Sequence, residues 1–359
     1  MQSKRSIAQQ RLYNQLIAGS VCRSPVEVVG GLGAVQAQDF LGALWAIGLR
    51  VKATTESDVE QSIANRQIVR TWPMRGTLHF VLSADVRWML ELLTPRIVAR
   101  WAARTKQLEL DDKELVRSAK TLGDALRGNK QIPRDAVYRL LESDGISTRG
   151  QRGLHILGLL AMQGLVCFGT RAGKQQRFSL LDEWVPNAKR LERDEALARL
   201  AFRYFTGHGP ATLQDFVWWS GLTISDAVAA LDFVRTRLAH EKLDGETYWF
   251  PQNGFVATNS TSHVYLLPSY DEYLVGYKNR DVMIGPEHRA HVFSGNMFNP
   301  VIVAGGQVKG TWKRTLAKEK VIVTLKLFTS LSRNPERALT RVVESYGLFL
   351  GVPAEMAGA

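Results

Sequence analysis

Apolar residues recur at helical spacing in some stretches of the chain and at strand spacing in others, and the two textures alternate in a regular order. Ile7, Leu12, Leu16 and Ile17 form an approximate helical stripe over Arg5 to Ala18. Ser24 and Pro25 supply an N-cap and a first-position proline for a second helix running toward Leu32, where Gly30, Gly31 and Gly33 weaken it. Leu41 to Leu49 reads as a buried helical or apolar segment. Ser57 to Asn65 reads as a helix opened by Ser57, with Glu60 at capping-box spacing. From Ile68 to Leu82 the pattern changes, and two short strands are expected to join through Met74-Arg75-Gly76.

The order of helices followed by a hairpin recurs. Helices are expected at Pro133 to Ser143 and Thr148 to Gln163, then strands at Leu165 to Phe168 and Phe178 to Leu180 around the basic turn Thr170 to Lys174. A third round places helices at Arg193 to Phe205, Thr212 to Trp219 and Thr223 to Leu238. Its strands His240 to Leu243 and Tyr248 to Phe250 flank Asp244-Gly245, a strong hairpin signal. Helices followed by a hairpin are the winged-helix plan, although short helical repeats also occur in unrelated folds. After Val256, strands are expected at Val264 to Leu267, Tyr273 to Tyr277, Val301 to Ala304, Val308 to Trp312 and Val321 to Leu327. Gly305-Gly306 supplies a turn, and Arg333 to Phe349 closes the chain as a helix. The expectation is an α+β protein of three tandem winged-helix domains, at 1–110, 111–190 and 191–255, followed by a small β-barrel with a terminal helix at 256–359.

Composition narrows the function. The 359 residues are 45% hydrophobic and 22% charged, ordinary globular values that exclude disorder or a collagen-like repeat. Apolar runs are broken by polar residues well short of a membrane span, and the first twenty residues have no apolar leader core, so a cytoplasmic protein is expected. Cys22 and Cys167 cannot build a disulfide framework or a structural zinc site. Lys and Arg number 46 against 34 Asp and Glu, a net charge of +12 spread along the whole chain. Such a surplus favours a polyanionic partner through counterion release, though charge alone also fits a basic protein with no nucleic-acid role.

Several groups of residues can carry chemistry. In Val35-Gln36-Ala37-Gln38-Asp39, Gln36 and Gln38 face opposite ways on a helix but the same way on extended backbone. Two amides on one side can hold a water, but amides have no useful basicity, so they serve only a reaction whose leaving group is already good. Capping or backbone pairing is the plainer role for both. Arg70 and Arg75 suit phosphate, and His79 suits DNA, a water or a structural role. Arg171, Lys174 and Arg177 resemble a basic wing, and Lys313 and Arg314 belong to a second cluster with Lys309, Lys318 and Lys320. Solvated surface charge is the alternative for both. His288 and His291 lack a third ligand at zinc spacing, and no metal site or cofactor is expected. Gly30-Gly31-Leu32-Gly33 has no preceding strand, and neither a Walker loop nor a Gly-x-Ser-x-Gly elbow is present. Asp271 and Glu272, adjacent on an expected strand, face opposite ways and read as structural.

Six blocks follow one another in order: Val35 to Asp39, Thr71 to Phe80, Gly207-His208-Gly209-Pro210-Ala211-Thr212, Trp218 to Leu222, Leu267 to Tyr273, and Gly310 to Arg314. Together they resemble the AlkZ-like winged-helix DNA glycosylases, over a span from about Arg11 to Leu331. The resemblance implies a C-shaped assembly of winged helices and a barrel around DNA. It implies hydrolysis of the N-glycosidic bond of N7-alkylated purines and, in some members, the unhooking of interstrand crosslinks; with no lysine positioned for an AP-lyase step, monofunctional hydrolysis is expected. The family's Gln, aliphatic, Gln-or-Asp motif maps onto Gln36, Ala37 and Gln38, the Gln-x-Gln branch, with Asp39 immediately beyond. It further implies a monomer acting on double-stranded DNA with alkylated bases. A hairpin pressed into the minor groove is expected, with Arg75, His79 and Gly305-Gly306 as candidates. The rival expectation is a non-catalytic winged-helix transcription regulator that reads a sequence.

Overall fold

The computed structural model describes residues 3–252, 263–295, 297–329, 331 and 335–357. Arg333, at the expected start of the terminal helix, and Val256, where the strand-rich region was expected to begin, lie outside them. The chain forms two compact units, one from Met1–Val59 with Leu197–Ala359, the other from Glu60–Ala196.

The second unit is built on two hairpins. Ile68–Met74 and Thr77–Leu82 pair through Arg75 and Gly76, both at positive φ, which matches the twist a two-residue hairpin turn needs. Val166–Ala172 and Gln175–Leu180 pair through Gly173-Lys174. These strands run further toward the turn than the sequence suggested, because Arg171 pairs with Gln176 and Ala172 with Gln175. Arg171 and Arg177 therefore lie on strands and not in a loop. The two hairpins are joined by pairing of Arg70 with Phe168, and Ile132–Pro133 adds an edge beyond Phe178. Trp72, Leu78, Phe168 and Phe178 from the strands pack with Leu122, Leu126, Val137, Leu141, Ile156 and Leu160 from three helices, Asp112–Leu126, Arg134–Ser143 and Arg152–Met162.

In the first unit, the helices Lys4–Asn14, Pro25–Leu32 and Phe40–Gly48 come from the chain's beginning. Arg193–His208, whose first turn belongs to the second unit, Leu213–Ser220 and Ile224–Asp232 follow in the returning segment. The last of these stops six residues before the expected Leu238, which opens the strand Leu238–Leu243; that strand pairs with Glu246–Pro251 around Asp244-Gly245, as expected. Glu56–Ala64, which crosses into the second unit, is opened by Thr55 and Asp58 and not by Ser57 and Glu60. The Thr55 amide donates to the Asp58 carboxylate at 2.8 Å, and the Asp58 amide donates back to the Thr55 hydroxyl at 3.3 Å.

The barrel expected after residue 256 is an open sheet. Its order is Ala354–Ala357, Val321–Leu327, Gln307–Leu316, Val301–Ala304 and Val264–Leu267, and among the described residues the two outer strands do not pair to close it. The helix Pro335–Leu350 lays Leu339, Val343, Tyr346 and Phe349 inward. Trp45 of the helix Phe40–Gly48 meets Tyr346 at 4.9 Å and Phe349 at 5.1 Å, and its indole N–H donates to the Leu266 carbonyl at 2.7 Å. Sheet and terminal helix thus fix the helix that follows Gln38.

Tyr273 to Tyr277, expected as a strand, instead begins with one helical turn, Glu272–Val275. Asp271 caps it by accepting from the Tyr273 amide at 2.9 Å, and this local bond wins over the β propensity of the aromatic residues. The Gly305-Gly306 turn is buried against the first helix, where a Cβ on Gly306 would lie 2.9 Å from Ala8 backbone, so it does not project as a groove-entering tip. No helix among the described residues is long and apolar enough to cross a membrane.

Close approach of two helices positions the segment after Leu32. A Cβ on Gly207 would lie 2.4 Å from the Gly31 carbonyl oxygen, which is backbone and cannot swing aside. Gly207→Ala is expected to lower unfolding free energy by about 1–3 kcal/mol in urea titration, despite alanine's better helix propensity. A variant as stable as wild type would contradict this packing.

Candidate active site around Gln36 and Gln38

The link between the helices Pro25–Leu32 and Phe40–Gly48 is short and fixed at both ends. Gly33 ends the first helix at φ +79, a conformation that favours glycine, and Trp219 lies 3.5 Å from where its Cβ would be. Val35–Gln36 is extended. Asp39 then caps the second helix by accepting from the Gly42 amide at 3.1 Å. The Arg314 guanidinium is 3.6 Å from the Asp39 carboxylate and donates to the Tyr346 hydroxyl at 2.9 Å. Arg314, expected on DNA phosphate, is thus engaged with the far end of the link.

Gln36 is buried, with 8% of its surface exposed, and Gln38 is exposed. The extended alternative for this segment is the one adopted at Val35–Gln36. The Gln36 amide N–H donates to Glu272 Oε1 at 2.9 Å. Glu272 Oε2 accepts from the Trp219 indole at 2.9 Å and lies 3.3 Å from His208 Nε2. Next to Glu272, Asp271 makes a two-pronged ion pair with Arg50, 2.8 Å at each oxygen, with both side chains fully buried. Arg50 also donates to the carbonyls of Gln15 and Ala46, at 2.8 and 2.6 Å. Tyr277 donates to the His208 carbonyl at 2.6 Å and accepts from Gln15 at 2.9 Å, while Tyr204 donates to the Gly276 carbonyl at 2.8 Å. Burial pushes the phenols of Tyr204, Tyr273 and Tyr277 up, so they act as donors and not as bases.

The sequence-based candidates in the second unit are more constrained than expected. Arg70 is buried, with its guanidinium carbon 4.6 Å from the Phe168 ring centre. His79 is fully buried: Nδ1 donates to the Thr77 carbonyl at 2.9 Å, and Nε2 accepts from Arg75 at 3.2 Å. Both ring nitrogens are thus engaged within the hairpin. Arg171 pairs with Glu60, and Arg177 donates to the Thr170 carbonyl at 3.1 Å and to its hydroxyl. Lys174, and Lys313 in the first unit, are exposed. His288 and His291 both lie against Phe328 with tilted rings, their centres at 4.8 and 5.0 Å. Among the described residues no cluster suits a metal ion. Burial raises both cysteine thiols, Cys167 far more, so neither supplies a thiolate nucleophile.

Glu272, His208, Trp219 and Arg50 were not expected at the site. The signal for the first was an N-cap pattern, Asp271 ahead of Glu-Tyr-Leu-Val, masked by the strand-like aromatics.

The chain matches the family model described as DNA glycosylase AlkZ-like over residues 29–349. It belongs to the AlkZ-like DNA glycosylase family. A curated relative of this AlkZ-like protein, the interstrand DNA cross-link repair glycosylase of Streptomyces sahachiroi, is 26% identical, with 94% of each chain covered. The solved structure of the Streptomyces sahachiroi DNA glycosylase AlkZ superposes with a TM-score of 0.81 at 25% identity, covering 99% of each chain. The AlkZ-like chain is thus a DNA glycosylase, a hydrolytic enzyme, of mixed α+β fold.

Removing one partner of the buried Arg50–Asp271 pair leaves the other charge uncompensated. Asp271→Asn is expected to cost about 3–5 kcal/mol of stability, read from the shift of the denaturant midpoint. A shift below about 1 kcal/mol would show that the pair does not brace this region.

Proposed function

We propose that this AlkZ-like glycosylase hydrolyses the N-glycosidic bond of N7-alkylated purines in double-stranded DNA, with Gln36 and Gln38 placing the attacking water. The observation that carries the reading is the fixed link itself. An extended Gln36 is tied through its backbone to a buried carboxylate, and Gln38 is open to solvent two residues on. Amides in this setting orient water but cannot deprotonate it. An N7-alkylguanine is cationic, so its glycosidic bond is already weakened and its departure needs no acid. What remains for the protein is proximity and dipoles aimed at the developing oxocarbenium ion.

The relative named as an interstrand cross-link repair glycosylase supports extending the substrate to crosslinked purines. A crosslinked base cannot be flipped freely into a closed pocket, so the lesion is read within the duplex. We read the recurring helices and hairpins as winged helices that carry the duplex. Exposed Lys174 and Lys313 are the basic candidates best placed to meet phosphate; Arg70, Arg75, Arg171, Arg177 and Arg314 reach it only by leaving the contacts described above. The protein acts as a monomer without a cofactor, and catalysis is monofunctional.

Single-turnover release of N7-methylguanine from a duplex tests the reading. Wild type should release the free base and leave no borohydride-trapped adduct, and Gln36→Ala and Gln38→Ala should each slow release about 100-fold. Equal rates in all three would move the site elsewhere, while absence of release together with a sequence-specific footprint would favour the regulator. Binding to undamaged duplex should weaken by about 10³-fold or more between 50 and 200 mM salt if six or more phosphates are neutralised. A flat salt response would contradict a DNA interface built on the net charge.

A further inference from the structure

We propose that Glu272 is a positioning residue for base hydrolysis. Its buried carboxylate, held by Trp219 and His208, sets the backbone at Gln36 and so the direction in which that glutamine presents its amide. The inference rests on the reading of Gln36 as a water-placing residue.

Three of the six sequence blocks that had no assigned role meet at this carboxylate. Gly207 to Thr212 supplies His208, Trp218 to Leu222 supplies Trp219, and Leu267 to Tyr273 supplies Glu272 itself. The contact to Gln36 is made at the main chain, across 236 residues of sequence, so it controls backbone direction whatever the side chain does. Glu272 is 1% exposed, and His208 and Trp219 are fully buried. A carboxylate in such surroundings is expensive unless donors meet it, and N–H bonds to it are shorter and roughly twice as strong as neutral ones.

The surroundings are shaped to this arrangement. A Cβ on Gly276 would lie 2.6 Å from the Glu272 carbonyl and 2.7 Å from His208 Cδ2, so the imidazole fits directly against the turn that carries Glu272. Tyr204 stacks on the imidazole, with ring centres 4.8 Å apart at 16°. Trp219 also fills the space that a side chain at Gly33 would take, 3.5 Å from where its Cβ would be, while its N–H holds Glu272. The link is thereby tied at Gln36 and supported three residues earlier by one connected group. With both oxygens engaged inside the protein, Glu272 is not placed to act as a base on water. It acts through Gln36, where a displacement of about 1 Å costs about 10²-fold in rate.

The test uses the full chain, a duplex carrying one N7-methylguanine, and Gln36→Ala as reference. Glu272→Gln keeps an oxygen for the Gln36 N–H but turns an NH2 toward the Trp219 donor, and Trp219→Phe removes that donor and keeps an aromatic ring. Each is expected to slow single-turnover release 10- to 100-fold at a temperature where the variant is fully folded, while affinity for undamaged duplex changes little; the thermal midpoint itself falls, because a buried donor or acceptor loses its partner. The double variant should be faster than Glu272→Gln alone, because the clash of two donors is gone. If Gln36→Ala is slow and both Glu272→Gln and Trp219→Phe release base at the wild-type rate, the proposal is wrong. It is also wrong if their rate losses match losses of folded protein or DNA affinity, which a merely structural role would give. A wild-type rate in Gln36→Ala removes the proposal together with the reading it rests on.

Discussion

A carboxylate taken out of water must be met by donors, and those that meet Glu272 come from three distant parts of the sequence. Gln36 offers a backbone N–H, Trp219 an indole N–H, and His208 a ring nitrogen. Each arrives on a different element, so satisfying one buried charge forces the link, the helix Leu213–Ser220 and the end of the helix Arg193–His208 into a single arrangement. Adjacent to it, Arg50 satisfies Asp271 and uses its remaining N–H groups on carbonyls of the first unit's early helices. These acids therefore hold together segments that lie more than 200 residues apart.

This arrangement suits the chemistry that amides permit. A glutamine pair has neither the basicity to generate hydroxide nor the nucleophilicity to form a covalent intermediate, so orientation is its main asset. Orientation depends on a stiff support, and stiffness here comes from buried, charge-assisted bonds and close helix contact at Gly207. Gln38, exposed beside a helix cap held by Asp39 and Arg314, completes a link with one buried and one open glutamine.

Much of this was legible along the chain because the relevant signals are local. The Ser24-Pro25 helix start, the Asp244-Gly245 turn, and the hairpin at Arg75-Gly76 each depend on residues a few positions apart. The ordered motif blocks were enough to point to the AlkZ-like family. Failures occurred where a local choice is decided by distant partners or by competing local bonds. Tyr273 to Tyr277 has strand composition, but the Asp271 cap bends its beginning into a helical turn. For Arg70 and His79 the sequence leaves DNA contact and a structural role open, and the sheet of the second unit buries both. The open sheet after Val264 could not be told from a barrel, since closure depends on which edge strands meet and not on the pattern within each. Glu272 was the largest omission, because nothing within its own segment reports a partner at Gln36.

The most direct measurement is a double-mutant cycle on single-turnover base release, combining Gln36→Ala with Glu272→Gln. If Glu272 acts through Gln36, its substitution has almost no further effect once the Gln36 side chain is gone, and the rate of the double variant equals that of Gln36→Ala. If the two losses multiply, Glu272 contributes independently of Gln36, and the account of a carboxylate that orients the water-placing glutamine is contradicted.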